Sequence, residues 1–361
     1  MARYNEYVMN RAAYVPSDAF LTASGSATAA LDPVALSAPS GGPTYAALDL
    51  GTNNCRLLVA RRSGVGFRVV DAFSRIVRLG EGLAASGVLS EPAMARSLEA
   101  LRVCAGKLAQ RRVTKARCVA TEACRRAANC GDFIARVRHE TGIAIETIAS
   151  DEEARLVVAG CAPLLDRSVP HAIVFDIGGG STELVWLAVP RDPTLPPEVV
   201  DFLSLPNGVV TLADRYGGRE VSRATYAAMV AEMRAAIEPF EARHRIAPLI
   251  ARGEVQMLGS SGTVTTLAGI HLDLPRYSRA RVDGLALSFA GARAVSERLV
   301  GLGYAARAAH PCIGSERADL VLAGCAVLEA ICRVWPVGGL RVADRGIREG
   351  ILQGLLDARD G

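Results

Sequence analysis

An α/β fold of two related half-domains facing each other across a cleft is predicted by two observations. The first is a hairpin written twice, YAALDLGTNNCRLLVA at 45–60 and AIVFDIGGGSTELVWLAV at 172–189. Each copy is an apolar strand ending in Asp, a turn of small residues and a second apolar strand. Asp49 and Asp176 hold equivalent places in the two copies. The second observation is that strand-like and helix-like patterns alternate after each hairpin, which argues layered α/β structure over an all-helical or all-β fold. Turns of small residues let backbone N–H groups converge on an anion, and an adjacent carboxylate can hold a divalent cation. A phosphate held between the two turns is the expectation.

In the first half, strands are expected at 45–50, 55–61, 67–75 and 116–121. A helix follows Pro92, with Ser90 as its N-cap and Leu98, Leu101 and Leu108 along an apolar stripe. A helix at 131–141 and a short strand at 145–148 come next. Ser150 or Asp151 then caps a helix whose first turn carries Glu152 and Glu153, where acids suit the helix dipole. The second half opens with its hairpin and a strand near 199–203, then helices near 208–216 and 222–243 and a strand at 255–259. GSSGT at 259–263 turns that strand into a helix at 264–271. Long helices at 288–301 and 315–334 precede a strand at 340–343. Residues 1–44 differ: Ser, Ala, Thr, Pro and Gly dominate without a sustained period, so a disordered extension is expected. Its apolar stretch is too interrupted for a signal peptide.

Composition narrows the classes. With 361 residues, half of them apolar, the chain can bury one large core or two moderate ones. A net charge of +4 does not imply a nucleic-acid partner. The only lysines are Lys107 and Lys115, and neither follows a G-x-x-x-x-G run, which excludes a P-loop NTPase. Nine cysteines contain no C-x-x-C pair, and the even spacing of Cys118, Cys124 and Cys130 fits no usual zinc site. Reduced thiols in a cytoplasm are expected. No apolar run approaches the roughly 18 residues of a membrane helix, so no membrane partner is expected.

Chemistry on a phosphate held between the two turns would need charge neutralisation, donors for the phosphoryl oxygens and, for hydrolysis, a group that orients water. Asp49, Asp176 and Glu183 supply carboxylates on the two hairpins, a set that suits Mg²⁺ with waters and phosphate oxygens completing its shell. Asp also caps turns for purely structural reasons. Donors come from Gly51, Thr52, Asn53 and Asn54 in the first turn, and from Gly178, Gly179, Gly180, Ser181 and Thr182 in the second. Ser261, Gly262 and Thr263 precede a helix N-terminus, a ready anion site. Gly208, in LPNG, fits either a loop at the cleft rim or an ordinary turn. Glu152 and Glu153 read equally well as helix-start acids. Arg276, Arg279 and Arg281 form either a basic contact for a long polyanion or a solvated loop.

From about Tyr45 to the C-terminus the chain resembles the exopolyphosphatase/guanosine pentaphosphate phosphatase family of the actin-like phosphotransferase superfamily. Eight segments in the family's order carry the resemblance. They are DLGTNNCRL (49–57), ATEACRRAAN (120–129), ASDEEARLVVAG (149–160), DIGGGSTEL (176–184), LPNGVVTL (205–212), GSSGTVTTLA (259–268), RVDGLAL (281–287) and DRGIREGIL (344–352). The resemblance implies an α/β fold of two actin-like (ribonuclease H-like) half-domains around a central cleft. The first would span 45–149 with the last helix, 345–361, crossing back onto it; the second would span 150–344.

The implied activity is Mg²⁺-dependent hydrolysis, with Mn²⁺ as a substitute, releasing terminal phosphate from inorganic polyphosphate. Guanosine pentaphosphate 5′-phosphohydrolysis is the close alternative, and a homodimer is implied. On the matching positions Glu153 is the general base, Arg125 contacts substrate, and Glu183 joins both the catalytic and the metal-binding sets. Asn54 stands where the family commonly has a hydroxyl residue, and Cys55 where an aromatic often follows. Longer members carry a C-terminal helical domain with His-Asp pairs; the five histidines here include no His-Asp, so that domain is not expected. An actin-like sugar or acetate kinase and a non-catalytic alarmone or nucleotide sensor are more distant readings. The EEARL and GSSGT segments weigh against the first, and the four retained acids Asp49, Glu153, Asp176 and Glu183 against the second.

Overall fold

Strands with one or both faces buried pair into two sheets, and helices fill the layers on either side of each. The computed structural model describes residues 42–64 and 66–358. The first half runs β1 (Thr44–Leu50), β2 (Asn54–Ser63), β3 (Gly66–Ile76), α1 (Leu83–Ser86), α2 (Glu91–Gln110), β4 (Lys115–Ala120), α3 (Glu122–Arg126), α4 (Cys130–Thr141) and β5 (Glu146–Thr147). Helix α5 (Ser150–Cys161) leads to β6 (His171–Ile177), β7 (Thr182–Ala188), β8 (Glu198–Leu205), α6 (Val209–Tyr216), α7 (Arg223–His244), α8 (Ala247–Ala251), β9 (Val255–Ser260) and α9 (Ser261–His271). Then come α10 (Arg279–Val282), β10 (Ala286–Ser288), α11 (Phe289–Gly301), α12 (Tyr304–Ala309), α13 (Val321–Val334), β11 (Gly339–Ala343) and α14 (Ile347–Asp357).

The strand orders are β3-β2-β1-β4-β5 and β10-β11-β9-β6-β7-β8. Each sheet is therefore a three-stranded antiparallel meander with a parallel strand, β4 or β9, beside its first strand. The duplicated hairpin is thus the seed of a duplicated sheet.

Three apolar layers follow. Leu48, Leu57, Leu98, Leu101 and Phe133 join the outer face of the first sheet to α2 and α4. Ile173, Phe175, Leu267, Leu328 and Trp335 do the same for the second sheet and its helices. Between the sheets, Ala47, Leu58, Val174 and Leu187 meet Val157 and Val158 of α5 and Ile351 and Leu352 of α14. Helix α14 lies against α5 and β1. The strands bury both faces, so the ends carrying the two turns are brought to one cleft.

Several boundaries differ from the sequence reading. The expected extension lies outside the described residues up to 41, and its last residue, Thr44, is a buried part of β1. Ser90 caps α2 as expected, accepting from the Ala93 amide. Neither Ser150 nor Asp151 caps α5, because the N-cap is Ala149 and makes no side-chain cap. Helix α9 starts at Ser261, so Gly262 and Thr263 lie in its first turn instead of before it. The helix expected from 315 starts only at Val321; a left-handed Gly314 and successive turns hold 314–320 out of helical register. Helix α3 and strand β10 are short additions without a sustained period.

Candidate active site

The two hairpin turns are the same backbone device. The Gly51 amide donates to the Asn54 carbonyl at 2.9 Å, and the Gly178 amide donates to the Ser181 carbonyl at 2.9 Å. Asp49 sits opposite Arg56 across the first hairpin, and Asp176 sits opposite Glu183 across the second. The turns touch: a β-carbon on Gly180 would collide with Thr52, and one on Gly179 would press on Asn53. Glycine at these places allows that approach.

The cleft between them is lined by Asp49, the first turn, Thr121, Glu153, Asp176, residues 178–181 and the start of α9, with Arg56 and Arg317 at one side. A second, wider groove continues from Asp49, Arg56, Asp176 and Arg317 past Phe73, Tyr277, Arg279 and Arg348.

Glu153 and Glu152 part company. Glu153 is 5% exposed and lines the cleft. Arg125 Nη1 donates to its Oε2 at 2.6 Å and to the Ile148 carbonyl at 3.1 Å, while Nε and Nη2 of the same Arg reach Glu122. Burial raises the Glu153 carboxyl to about 7 despite Arg125, with Asp49 and Asp176 pushing the same way. Its neighbour Glu152 pairs with Arg117 near the surface. Arg125, expected on the substrate, is instead the residue that fixes Glu153, and it does not line the cleft.

The other carboxylates share the same stress. Burial raises Asp176 to about 6, opposed by Arg56 and reinforced by Asp49. Asp49 is raised by burial, with Arg56 and Arg348 opposing. Glu183 is pushed well up by burial and then by Glu153 and Asp176. It does not line the cleft; Ser204 Oγ donates to its Oε1 at 3.1 Å and Ser181 bonds it as well. The expected trio Asp49, Asp176 and Glu183 is therefore no preformed ligand set. Among the described residues no three His, Cys, Asp or Glu side chains stand together as one.

Oxygens fit a hard cation nevertheless. Among the described residues, Asp49 Oδ1, Asn53 Oδ1 and Asn54 Oδ1 are buried acceptors without a protein partner, as is the Thr52 hydroxyl oxygen. Three acceptors facing no donor, beside carboxylates that resist ionising, match the all-oxygen shell of Mg²⁺.

Two expected phosphate contacts have other work. Thr182 is fully buried and its hydroxyl donates to the Asn207 carbonyl at 2.8 Å. Gly208 lies behind the second turn, where a β-carbon would collide with Gly179 and Gly180. The amides of Val209 and Val210 grip the Gly178 and Gly179 carbonyls at 2.9 and 2.8 Å, so α6 buttresses that turn. Thr263 lines the cleft with Ser261 and Gly262, and its side chain also lies against Gly324. Ser260 caps nothing and donates to the Arg345 carbonyl at 2.6 Å.

The sequence reading missed Arg56, Arg317 and Arg348. Arg56 was legible, since it follows Asp49 at the spacing by which Glu183 follows Asp176. Arg348 lies within DRGIREGIL. Arg317 gave no signal, being hidden in an expected helix. Of the 276–281 arginines, Arg279 is held by Glu349 at 2.9 Å and by the Asp344 carbonyl at 2.7 Å, whereas Arg276 and Arg281 are exposed.

A duplicated sheet pair with two glycine turns meeting at a cleft lined by buried acids suits a protein of phosphoryl chemistry. The Ppx/GppA phosphatase family model matches residues 58–359, and the chain belongs to that family. It is accordingly a hydrolase, and its fold is the actin-like one of that family's structures. A solved exopolyphosphatase-like protein is 28% identical, with a TM-score of 0.78 over 87% of this chain and 97% of that one. The exopolyphosphatase of Cytophaga hutchinsonii (23% identity, TM-score 0.77, 87% and 98% covered) shares the fold. So does the Aquifex aeolicus member of the Ppx/GppA family (24%, 0.70, 88% and 99%). Among the described residues, no helix is long and apolar enough to cross a membrane.

Proposed function

We propose that this chain releases terminal orthophosphate from inorganic polyphosphate, using Mg²⁺, with Mn²⁺ as a substitute. The observation that supports this reading best is Glu153, a buried carboxylate at the cleft, clamped by Arg125 and raised to about 7. A base tuned near neutrality can orient an attacking water and take its proton. The terminal phosphoryl would lie between the turns, receiving the Thr52 hydroxyl and the amides of Gly179 and Gly180, with Arg56 and Arg317 balancing the departing polyanion. Asp49 and Asp176, with Asn53 and Asn54, would hold the Mg²⁺, whose charge neutralises phosphoryl oxygens. Glu183 would act from behind the second turn, where its carboxyl bonds Ser181 and accepts from Ser204.

Guanosine pentaphosphate presents the same kind of terminal phosphoryl and is the alternative substrate. Among the described residues, the cleft between the turns offers a base no aromatic face, since Phe73 and Tyr277 lie in the outer groove. The reading carries with it a homodimer in the cytoplasm, a compartment that suits nine unpaired cysteines. Phosphate release should be assayed side by side from short polyphosphate, long polyphosphate and guanosine pentaphosphate, with Mg²⁺ and after chelation. Release from polyphosphate that stops on chelation supports the proposal. Substrate binding without release, under Mg²⁺ and Mn²⁺ alike, overturns it.

A further inference from the structure

One ion pair spans the two halves outside the machinery described so far. Arg78 follows β3 in the first half, and Asp319 precedes α13 in the second. Arg78 Nη1 and Nη2 donate to Asp319 Oδ2 and Oδ1 at 2.8 and 2.9 Å, and Nη2 also donates to the Glu316 carbonyl at 3.0 Å. Fork-to-fork pairing of this kind fixes angle as well as distance. The side chains are 28% and 20% exposed, which separates the pair from freely solvated bridges that contribute little.

Each end is tied to a cleft-facing element. The amides of Val77 and Arg78 donate to the Asn53 carbonyl at 2.8 and 3.1 Å, and the Gly80 amide donates to Thr52 O at 2.9 Å. The loop bearing Arg78 is thus the floor of the first turn. Its backbone is held at φ 48°, a left-handed conformation that non-glycine residues seldom adopt. Arg96 braces it by donating to the Val77 and Arg78 carbonyls at 3.0 and 3.4 Å. At the other end, the carbonyl of cleft-lining Arg317 accepts the Leu320 and Val321 amides at 2.9 and 3.0 Å, closing the turn that carries Asp319. Buried Arg307 donates to the Ala318, Leu302 and Arg219 carbonyls and so fastens this run to the second half. On the same rim the Gly82 amide faces the Asp214 carboxylate of α6.

We propose that Arg78 is a positioning residue for phosphoryl hydrolysis, whose grip on Asp319 sets how far apart the first turn and Arg317 stand across the cleft. It acts through those groups and does not itself touch substrate. The inference rests on the function proposed above. Misplacing a reacting group by about 1 Å costs on the order of 10²-fold in rate.

The test compares wild type with Asp319→Asn, Arg78→Lys and the exchange pair Arg78→Asp with Asp319→Arg. Read out kcat and KM for phosphate release from short polyphosphate, together with amide hydrogen exchange at 50–56 and 314–320 in the ligand-free protein. Asp319→Asn should lower kcat by about 10- to 100-fold, with a smaller change in KM. Its melting temperature should move by only a few degrees. Exchange should quicken in both segments together, Arg78→Lys should fall in between, and the exchange pair should recover most of kcat. A lower melting temperature with kcat unchanged, or an exchange pair no better than either single variant, overturns the proposal. If wild type hydrolyses no polyphosphate, the functional reading fails and the exchange data alone judge the clasp. Coupled quickening then upholds it, and quickening at 314–320 alone refutes it.

Discussion

The first and second turns share a backbone and divide the chemistry. In each, a glycine amide closes the loop at 2.9 Å and an Asp precedes it. The residue opposite that Asp is Arg56 in one copy and Glu183 in the other. The first turn leaves Thr52, Asn53 and Asn54 oxygens buried without partners. The second is built from three glycines clamped by α6, with Ser181 and Thr182 committed to Glu183 and Asn207. Duplication therefore supplied one turn geometry twice. The side chains differ: the first copy carries buried oxygens with no partner among the described residues, and the second is a glycine turn with Glu183 behind it.

The largest test asks whether the base stands apart from both turns. Glu153→Gln keeps shape and hydrogen bonding but removes the proton acceptor, so kcat for phosphate release should fall by roughly 10²–10⁴. Substrate binding measured by calorimetry should largely survive. Glu152→Gln breaks only the pair with Arg117 and should keep near-normal turnover. An inactive Glu152 variant beside an active Glu153 variant would reverse the assignment.

Next comes the pair Asp49→Asn and Asp176→Asn, which asks whether the two copies share one cation. A neutral amide is a poorer ligand for a hard cation, so each change should raise the Mg²⁺ needed for half-maximal rate, by about tenfold or more. Both carboxylates are held up by burial, so folding loses stability by ionising them when no cation is bound. In chelator, then, neither variant should melt below wild type. An unchanged metal requirement with a clear fall in melting temperature would make that Asp a turn residue only.

How much of this was legible follows the same division. The hairpins, the buried strands and the helix start that carries Glu153 were readable because period-2 apolar runs, turn residues and short segments are local signals. Arg125 showed in its segment, but its role turned on Ile148, Glu122 and Glu153 meeting it in space. The cleft lining from 314–320 was lost because Glu316, Arg317, Ala318 and Leu320 suit a helix and run into α13 without a breaker. Gly314 at positive φ, successive backbone turns, Arg307 and the cross-cleft Asp319 pair hold those residues out of the helix. Thr182 and Gly208 were overread, since small residues near a glycine turn look alike whether they face a ligand or the buttress behind it.

A subtler comparison uses equivalent glycines. A β-carbon on Gly178 would stand 2.9 Å from the Ser181 carbonyl oxygen, tighter than real contacts allow, whereas on Gly51 it would meet the Asn54 oxygen at 3.5 Å. Gly178→Ala must therefore shift a turn that α6 holds rigid, and a melting-temperature loss of several degrees is expected, as for about 1–3 kcal/mol of overpacking. Gly51→Ala should melt within a degree or two of wild type. Equal losses would show that the first turn is as tightly buttressed as the second.

The smallest effect is expected at the chain's start, where the copies differ in what precedes them. Strand β6 comes after α5 in the chain, whereas β1 comes after residues whose Ser-, Ala- and Pro-rich composition is not expected to supply a core. Thr44 already belongs to β1, its carbonyl accepting the Thr114 amide at 2.8 Å and the Thr114 hydroxyl at 2.9 Å. Deleting residues 1–41 keeps Gly42 and Pro43 ahead of that strand. Turnover and melting temperature should then both match the full chain. A marked drop in melting temperature would show that the extension packs on the first half. A drop in turnover alone would place it at the cleft, next to the turn that carries the unpartnered oxygens.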